Sequence, residues 1–76
     1  MKVRITKRHI AGGVAMDVRR CPLALAMNER FDGRASVGSY VEVAGVPRAM
    51  TLAAHDFTAD FDAGRPVSPG WLTVWE

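Results

Sequence analysis

The sequence predicts a small α+β domain covering residues 1–76. The expected fold is a two-layer sandwich in which two helices lie on one face of a mainly antiparallel sheet, in the order β-α-β-β-(β)-α-β. Three observations carry this. Lys2–Ile5, Val41–Val43 and Trp71–Trp75 alternate with period two. Leu23, Met27 and Phe31, and again Ala53, Phe57 and Phe61, recur four apart. Gly and Pro fall between these segments, where turns are needed.

In Lys2–Ile5 the spacing places Val3 and Ile5 on one face of a first strand. Thr6 then suits the N-cap of a single turn, Lys7–Ala11, stopped by Gly12-Gly13. Val14–Arg20 has no period and reads as a loop. Pro22 belongs in the first turn of a helix, where its missing N–H costs nothing, and Gly33 is placed to end that helix. Ala35–Met50 reads as strands, with Val41 and Val43 facing one way and Tyr40 and Glu42 the other. Gly45-Val46-Pro47 is the expected turn, and Arg48–Met50 a short returning edge strand. Thr51 caps a second helix whose apolar face is Ala53, Phe57 and Phe61, and Gly64 with Pro66 stops it. Trp71–Trp75 closes the sheet.

Composition bounds the function classes. With 49% hydrophobic and 24% charged residues the chain is globular in character, not disordered. A chain of 76 residues buries only ~60% of its unfolded surface, so its stability is modest. One cysteine excludes an internal disulfide framework and a multi-cysteine zinc site, and it suits a reducing compartment. No run approaches the ~20 apolar residues of a membrane span, and the N-terminus has no secretory apolar region. The expectation is a protein of the cytoplasm. The net charge of +2 is unevenly placed: residues 1–34 carry eight Lys and Arg against three Asp and Glu, net +5, and residues 35–76 carry two against five, net −3. Such asymmetry steers acidic partners to the basic half, or simply solvates the surface.

No catalytic, cofactor-binding or metal-binding pattern of high specificity occurs. Cys21 follows Arg19 and Arg20 at a helix start, where positive charge would favour thiolate, but no second cysteine can resolve an oxidised sulfur; a buried core residue is the favoured reading. His9 and His55 lack a second ligand at metal-binding spacing, and His55, Asp56, Asp60 and Asp62 read as a solvated helix face. Gly12-Gly13 has neither the lysine nor the spacing of a phosphate loop. The chain is expected not to be an enzyme and to need no cofactor.

Three short motifs span most of the chain: R-H-I-x-x-G from Arg8, C-P-L-A-L-A from Cys21 and F-D-x-G-x-P-V-x-P from Phe61. In them the sequence resembles a group of small uncharacterised proteins encoded by bacteriophages and prophages of high-GC bacteria. The resemblance implies a phage accessory protein, acting in the host-cell cytoplasm on a host or defence complex (an anti-CRISPR-like role). It implies no functional residue.

The candidate binding surface comes from the residues themselves. In Trp71–Trp75, Leu72 and Val74 share one face and both indoles the other. With Leu72 and Val74 against the helices, Trp71 and Trp75 stand on the open sheet face near Tyr40, and Arg4 supplies a cation if the terminal strands pair. The opposite reading puts the indoles in the core. Arg19 and Arg20 add to a basic rim. The expected function is a non-enzymatic protein-binding module that contacts a host or defence complex or forms a homodimer. The alternative is a small nucleic-acid-binding domain using the basic half and the sheet aromatics, although an RNA-type aromatic strand motif is lacking.

Overall fold

The computed structural model describes residues 1–76. Its order is β1 (Lys2–Ile5), α1 (Lys7–Gly12), α2 (Pro22–Arg30), β2 (Ala35–Val37), β3 (Val41–Val43), β4 (Val46–Arg48), α3 (Leu52–Asp62) and β5 (Gly70–Thr73). This is an α+β sandwich with antiparallel strand pairing throughout, as the sequence predicts. The strands divide between two sheets, β1-β5 and β2-β3-β4, and the single turn after Thr6 is a third helix.

The division has a local cause. Ala35 and Val37 turn their backbone groups away from β3, and that edge of β2 is already occupied. Asn28 Nδ2 donates to the Ala35 carbonyl at 3.0 Å, and its Oδ1 accepts from the Ala35 N–H at 2.7 Å. The Val37 N–H donates to the Val18 carbonyl at 2.7 Å. A side chain and a loop thus take the place of the neighbouring strand that would have made one sheet.

α2 lies at the centre, against α1, β1 and β2. Pro22 opens it, and Leu23, Ala24 and Met27 are wholly buried. Burial of a side chain such as Leu23 or Met27 stabilises by ~1.5–3 kcal/mol. Around them close Val3, Ile5, Cys21, Val37, Val41 and Val74. The helix ends through Asp32 at φ 53° and Gly33 at φ 74°, with the Gly33 N–H on the Asn28 carbonyl, so two left-handed residues make the stop that the sequence assigns to Gly33 alone.

Two register details differ from the sequence reading. The β3–β4 turn is Ala44-Gly45, both at positive φ (50° and 83°), so Val46 and Pro47 already belong to the returning strand. A two-residue hairpin makes Val43–Val46 a hydrogen-bonded pair and Glu42–Pro47 a non-hydrogen-bonded one. Pro47 therefore directs its missing N–H outward and blunts an exposed edge. On α3 the inward alanine is Ala54, which is fully buried, whereas Ala53 is exposed; Phe57, Thr58 and Phe61 are half-buried beside it. Thr51 caps α3 through the Ala54 N–H, and its hydroxyl donates to the Thr73 carbonyl at 2.6 Å, tying α3 to β5. No helix is long and apolar enough to cross a membrane.

Candidate functional site

The terminal strands pair, with Arg4 opposite Trp71 and Val3 opposite Leu72. Beyond the strand ends the ladder continues, since the Val74 N–H donates to the Met1 carbonyl at 2.8 Å. Alternation from that bond makes Arg4–Trp71 a non-hydrogen-bonded pair, the closer type, with Cα atoms ~4.5 Å apart. Val3, Ile5 and Val74 are buried, so Arg4 and Trp71 face out. Trp71 keeps 69% of its surface open. A groove of about 300 Å³ runs along β1 between Arg4 and Trp71 on one side and Ala26, Glu29 and Arg30 of α2 on the other. Neither Lys2 nor Arg4 has a carboxylate oxygen within 4.0 Å.

The second indole lies elsewhere. Trp75 is beyond the end of β5, half-buried and stacked on Phe31 at the end of α2, with ring centroids 6.5 Å apart and planes inclined by 23°. The Arg48 guanidinium covers it, 4.8 Å from the ring centroid. Of the two orientations the sequence leaves open, the one found turns Leu72 and Val74 inward, but the two indoles do not make one exposed patch. Trp71 is an open surface group; Trp75 closes the bottom of the core.

The other predicted binding residues are dispersed. Tyr40 is half-exposed in the turn between β2 and β3, on the other sheet from Trp71. Arg19 and Arg20 lie in the loop before α2, whose turn is held by Asp17: its Oδ1 accepts from both arginine N–H groups, at 3.0 and 3.1 Å. The Arg19 guanidinium reaches the Gly33 carbonyl, locking this loop to the end of α2. The basic rim is therefore Lys2, Arg4 and Arg30 beside Trp71, and Arg19 and Arg20 help to build the loop.

Cys21 is the N-cap residue of α2 by position, but its thiol makes no capping bond and is 3% exposed. Burial pushes that thiol above its ordinary pKa, against the effect of the backbone N–H groups of Ala24 and Leu23. It borders a cleft of about 170 Å³ with Met16, Val18, Val37, Thr58 and Asp62. Met16 is held at φ 60° with its N–H on Asp62 Oδ1, and the Thr58 hydroxyl has no partner within the chain.

His9 has a role that the sequence reading missed. It completes a capping box: Thr6 Oγ1 accepts from the His9 N–H at 3.2 Å, while His9 Nδ1 accepts from the Thr6 N–H at 3.0 Å. An acceptor Nδ1 requires the ring proton on Nε2, which donates to Glu29 Oε1 at 2.8 Å. Arg8 reaches the other oxygen of Glu29 at 3.3 Å. The hydrogen bond from His9, aided by the charges alongside, holds the Glu29 carboxyl below its ordinary pKa. Thr6-x-x-His9 was the available signal, a box with histidine in the position usually taken by Glu or Gln.

The chain matches no protein-family model, no curated protein and no solved structure.

Proposed function

We propose that this chain is a non-enzymatic protein-binding module whose contact surface centres on Trp71 and the cations beside it. The observation that carries the reading is the open indole of Trp71, directly across the ladder from an unpaired Arg4. Large exposed aromatics flanked by arginine are the side chains that most often anchor protein interfaces. A host or defence complex as the target, within a phage-infected cell, belongs to the same proposal and rests on the sequence resemblance alone.

The second reading, a nucleic-acid binder, draws on the same groove, since an indole beside Lys2, Arg4 and Arg30 would also accept a stacked base and phosphates. It is the weaker one because Trp75 is stacked on Phe31 and Tyr40 belongs to the other sheet, which leaves one platform where base readers use several.

The test is affinity capture from bacterial lysate with nuclease present, followed by reassembly of each captured pair from purified components. The proposal expects a purified partner that binds the native chain and is lost with Trp71→Ser, while Tyr40→Ser binds normally. Partners retained equally by Trp71→Ser remove this surface from the function. Tight, salt-resistant, sequence-dependent binding of oligonucleotides would instead establish the second reading.

A further inference from the structure

The open edge of β1 deepens this reading of the Trp71 surface and rests on it. Alternation along the β1–β5 ladder turns the backbone groups of Val3 and Ile5 toward β5 and those of Lys2 and Arg4 away from it. The Lys2 carbonyl is taken by Arg30 Nη1 at 2.9 Å. The N–H and carbonyl of Arg4 are claimed by no loop and no side chain. On two other strands the fold closes such edges, with Asn28 and Val18 covering β2 and Pro47 blunting β4, whereas the outward backbone groups of Trp71 on β5 are unclaimed like those of Arg4. Arg4, which carries the unclaimed pair on β1, lines the groove together with Trp71 and with Ala26, Glu29 and Arg30 of α2.

We propose that this edge accepts an extended acidic segment of a partner protein, which adds as a strand beside β1. Backbone hydrogen bonds to Arg4 would hold it, with carboxylates toward Lys2, Arg4 and Arg30 and an apolar side chain against Trp71. The charge follows from what lines the groove. Lys2 and Arg4 have no acidic partner, Lys7 and Arg8 follow on the next turn, and the one carboxylate present, Glu29, is already engaged by His9 and Arg8. A second copy of the chain fits poorly at this edge, because pairing β1 with β1 would set Lys2 and Arg4 against their like. A nucleic-acid strand has no amide–carbonyl edge with which to extend the ladder.

The test uses a short peptide of alternating glutamate and valine, the same peptide with N-methylated amides at alternate positions, a lysine–valine peptide, and an oligothymidylate of similar length. Amide exchange and chemical shifts of the ¹⁵N-labelled chain are followed by NMR. The expected result is that the acidic peptide slows exchange of the Arg4 amide and shifts the Trp71 indole N–H. Lys2→Glu with Arg4→Glu should weaken it about tenfold, the sum of two partly exposed charge contacts. N-methylation should abolish protection of Arg4, and the lysine–valine peptide should not bind. If the charge variant proves unfolded by circular dichroism, the methylated peptide on the native chain decides the matter. An acidic peptide that leaves Arg4 exchange unchanged, or a methylated one that binds equally well, overturns strand addition even where Trp71→Ser still loses its protein partner. Tighter binding of the oligothymidylate at the same residues, or a dimer in sedimentation that protects Arg4 without peptide, overturns it as well.

Discussion

The side chain of Asn28 pairs with both backbone groups of Ala35, seven residues away, as a neighbouring strand would. Ala35 is fully buried, so its N–H and carbonyl have no solvent to turn to. Asn28→Ala removes two hydrogen bonds and strands both groups. The expected loss is about 2–3 kcal/mol, from two bonds of ~1 kcal/mol each and the cost of unsatisfied buried groups. Urea denaturation measures it, and a loss within 0.5 kcal/mol, roughly the range of a neutral surface change, would show that the pairing is not needed.

His9 and Glu29 give a pH-dependent prediction. Because Glu29 is held below its ordinary value of 4.5, its contribution to stability is complete above that value and is lost as pH falls through the depressed one. Glu29→Gln should therefore lower stability modestly near neutral pH, flatten part of the acid limb, and change little below the depressed value, where the native carboxyl is already protonated. Long-range ¹H–¹⁵N correlation of the His9 ring should show the Nε2–H tautomer. An Nδ1–H ring would contradict the capping box, because two donors would then face each other between Thr6 and His9.

Ala44 occupies the first position of the hairpin turn at φ 50°, where a Cβ is unfavourable and asparagine or glycine is preferred. Ala44→Asn keeps the N–H that donates to the Arg34 carbonyl at 2.9 Å. It should raise stability by ~0.5–1 kcal/mol. Since ~1 kcal/mol moves the melting temperature of a domain this size by ~4–8 °C, calorimetry resolves the gain. A fall in Tm would mean that the left-handed turn is not the ground state of this hairpin.

What the sequence makes legible here is what neighbouring residues decide. The caps at Thr6 and Thr51 and the entry at Pro22 follow from propensity, and the alternation of Leu72 and Val74 with the indoles from period, which leaves open the face that turns inward. Ala53 and Ala54 are adjacent on the rim of one helical face, and which turns inward depends on how α3 meets β5, something period alone leaves open. The split into two sheets depends on Asn28 reaching Ala35, and the fate of Trp75 on Phe31 and Arg48 arriving from distant parts of the chain. Of the candidate site, alternation at both ends of the chain puts Arg4 opposite in face to Val3 and Ile5, and the indoles opposite to Leu72 and Val74. The pairing of Arg4 with Trp71 depends on a strand register that period does not set. The dispersal of Tyr40, Arg19 and Arg20 was not readable either, since each belongs to a turn whose position is set by tertiary contacts.

Cys21 provides a chemical check on burial. With its thiol enclosed and its pKa raised, alkylation by iodoacetamide in the native state should proceed only as fast as the domain opens, and denaturant should release it. Cys21→Ser should remain folded, because a serine hydroxyl can cap the Ala24 N–H that the thiol leaves without a side-chain acceptor. Rapid native-state alkylation would show a reactive sulfur and reopen a chemical role.

The two tryptophans should separate cleanly in mutagenesis. Trp71→Ser removes a side chain that is 69% exposed and should change stability by no more than ~0.5 kcal/mol. Trp75→Ala removes the ring stacked on Phe31, exposes the apolar surface beneath it and frees Arg48 from its cation–π contact. The packing and stacking lost together amount to about 2–4 kcal/mol. Urea curves on the two variants measure the contrast, and iodide quenching of each remaining indole tests its cause: Trp71 alone should quench readily, Trp75 alone poorly. Equal destabilisation with equal quenching would mean that both rings share one environment, and the binding surface would then have to be sought away from β5.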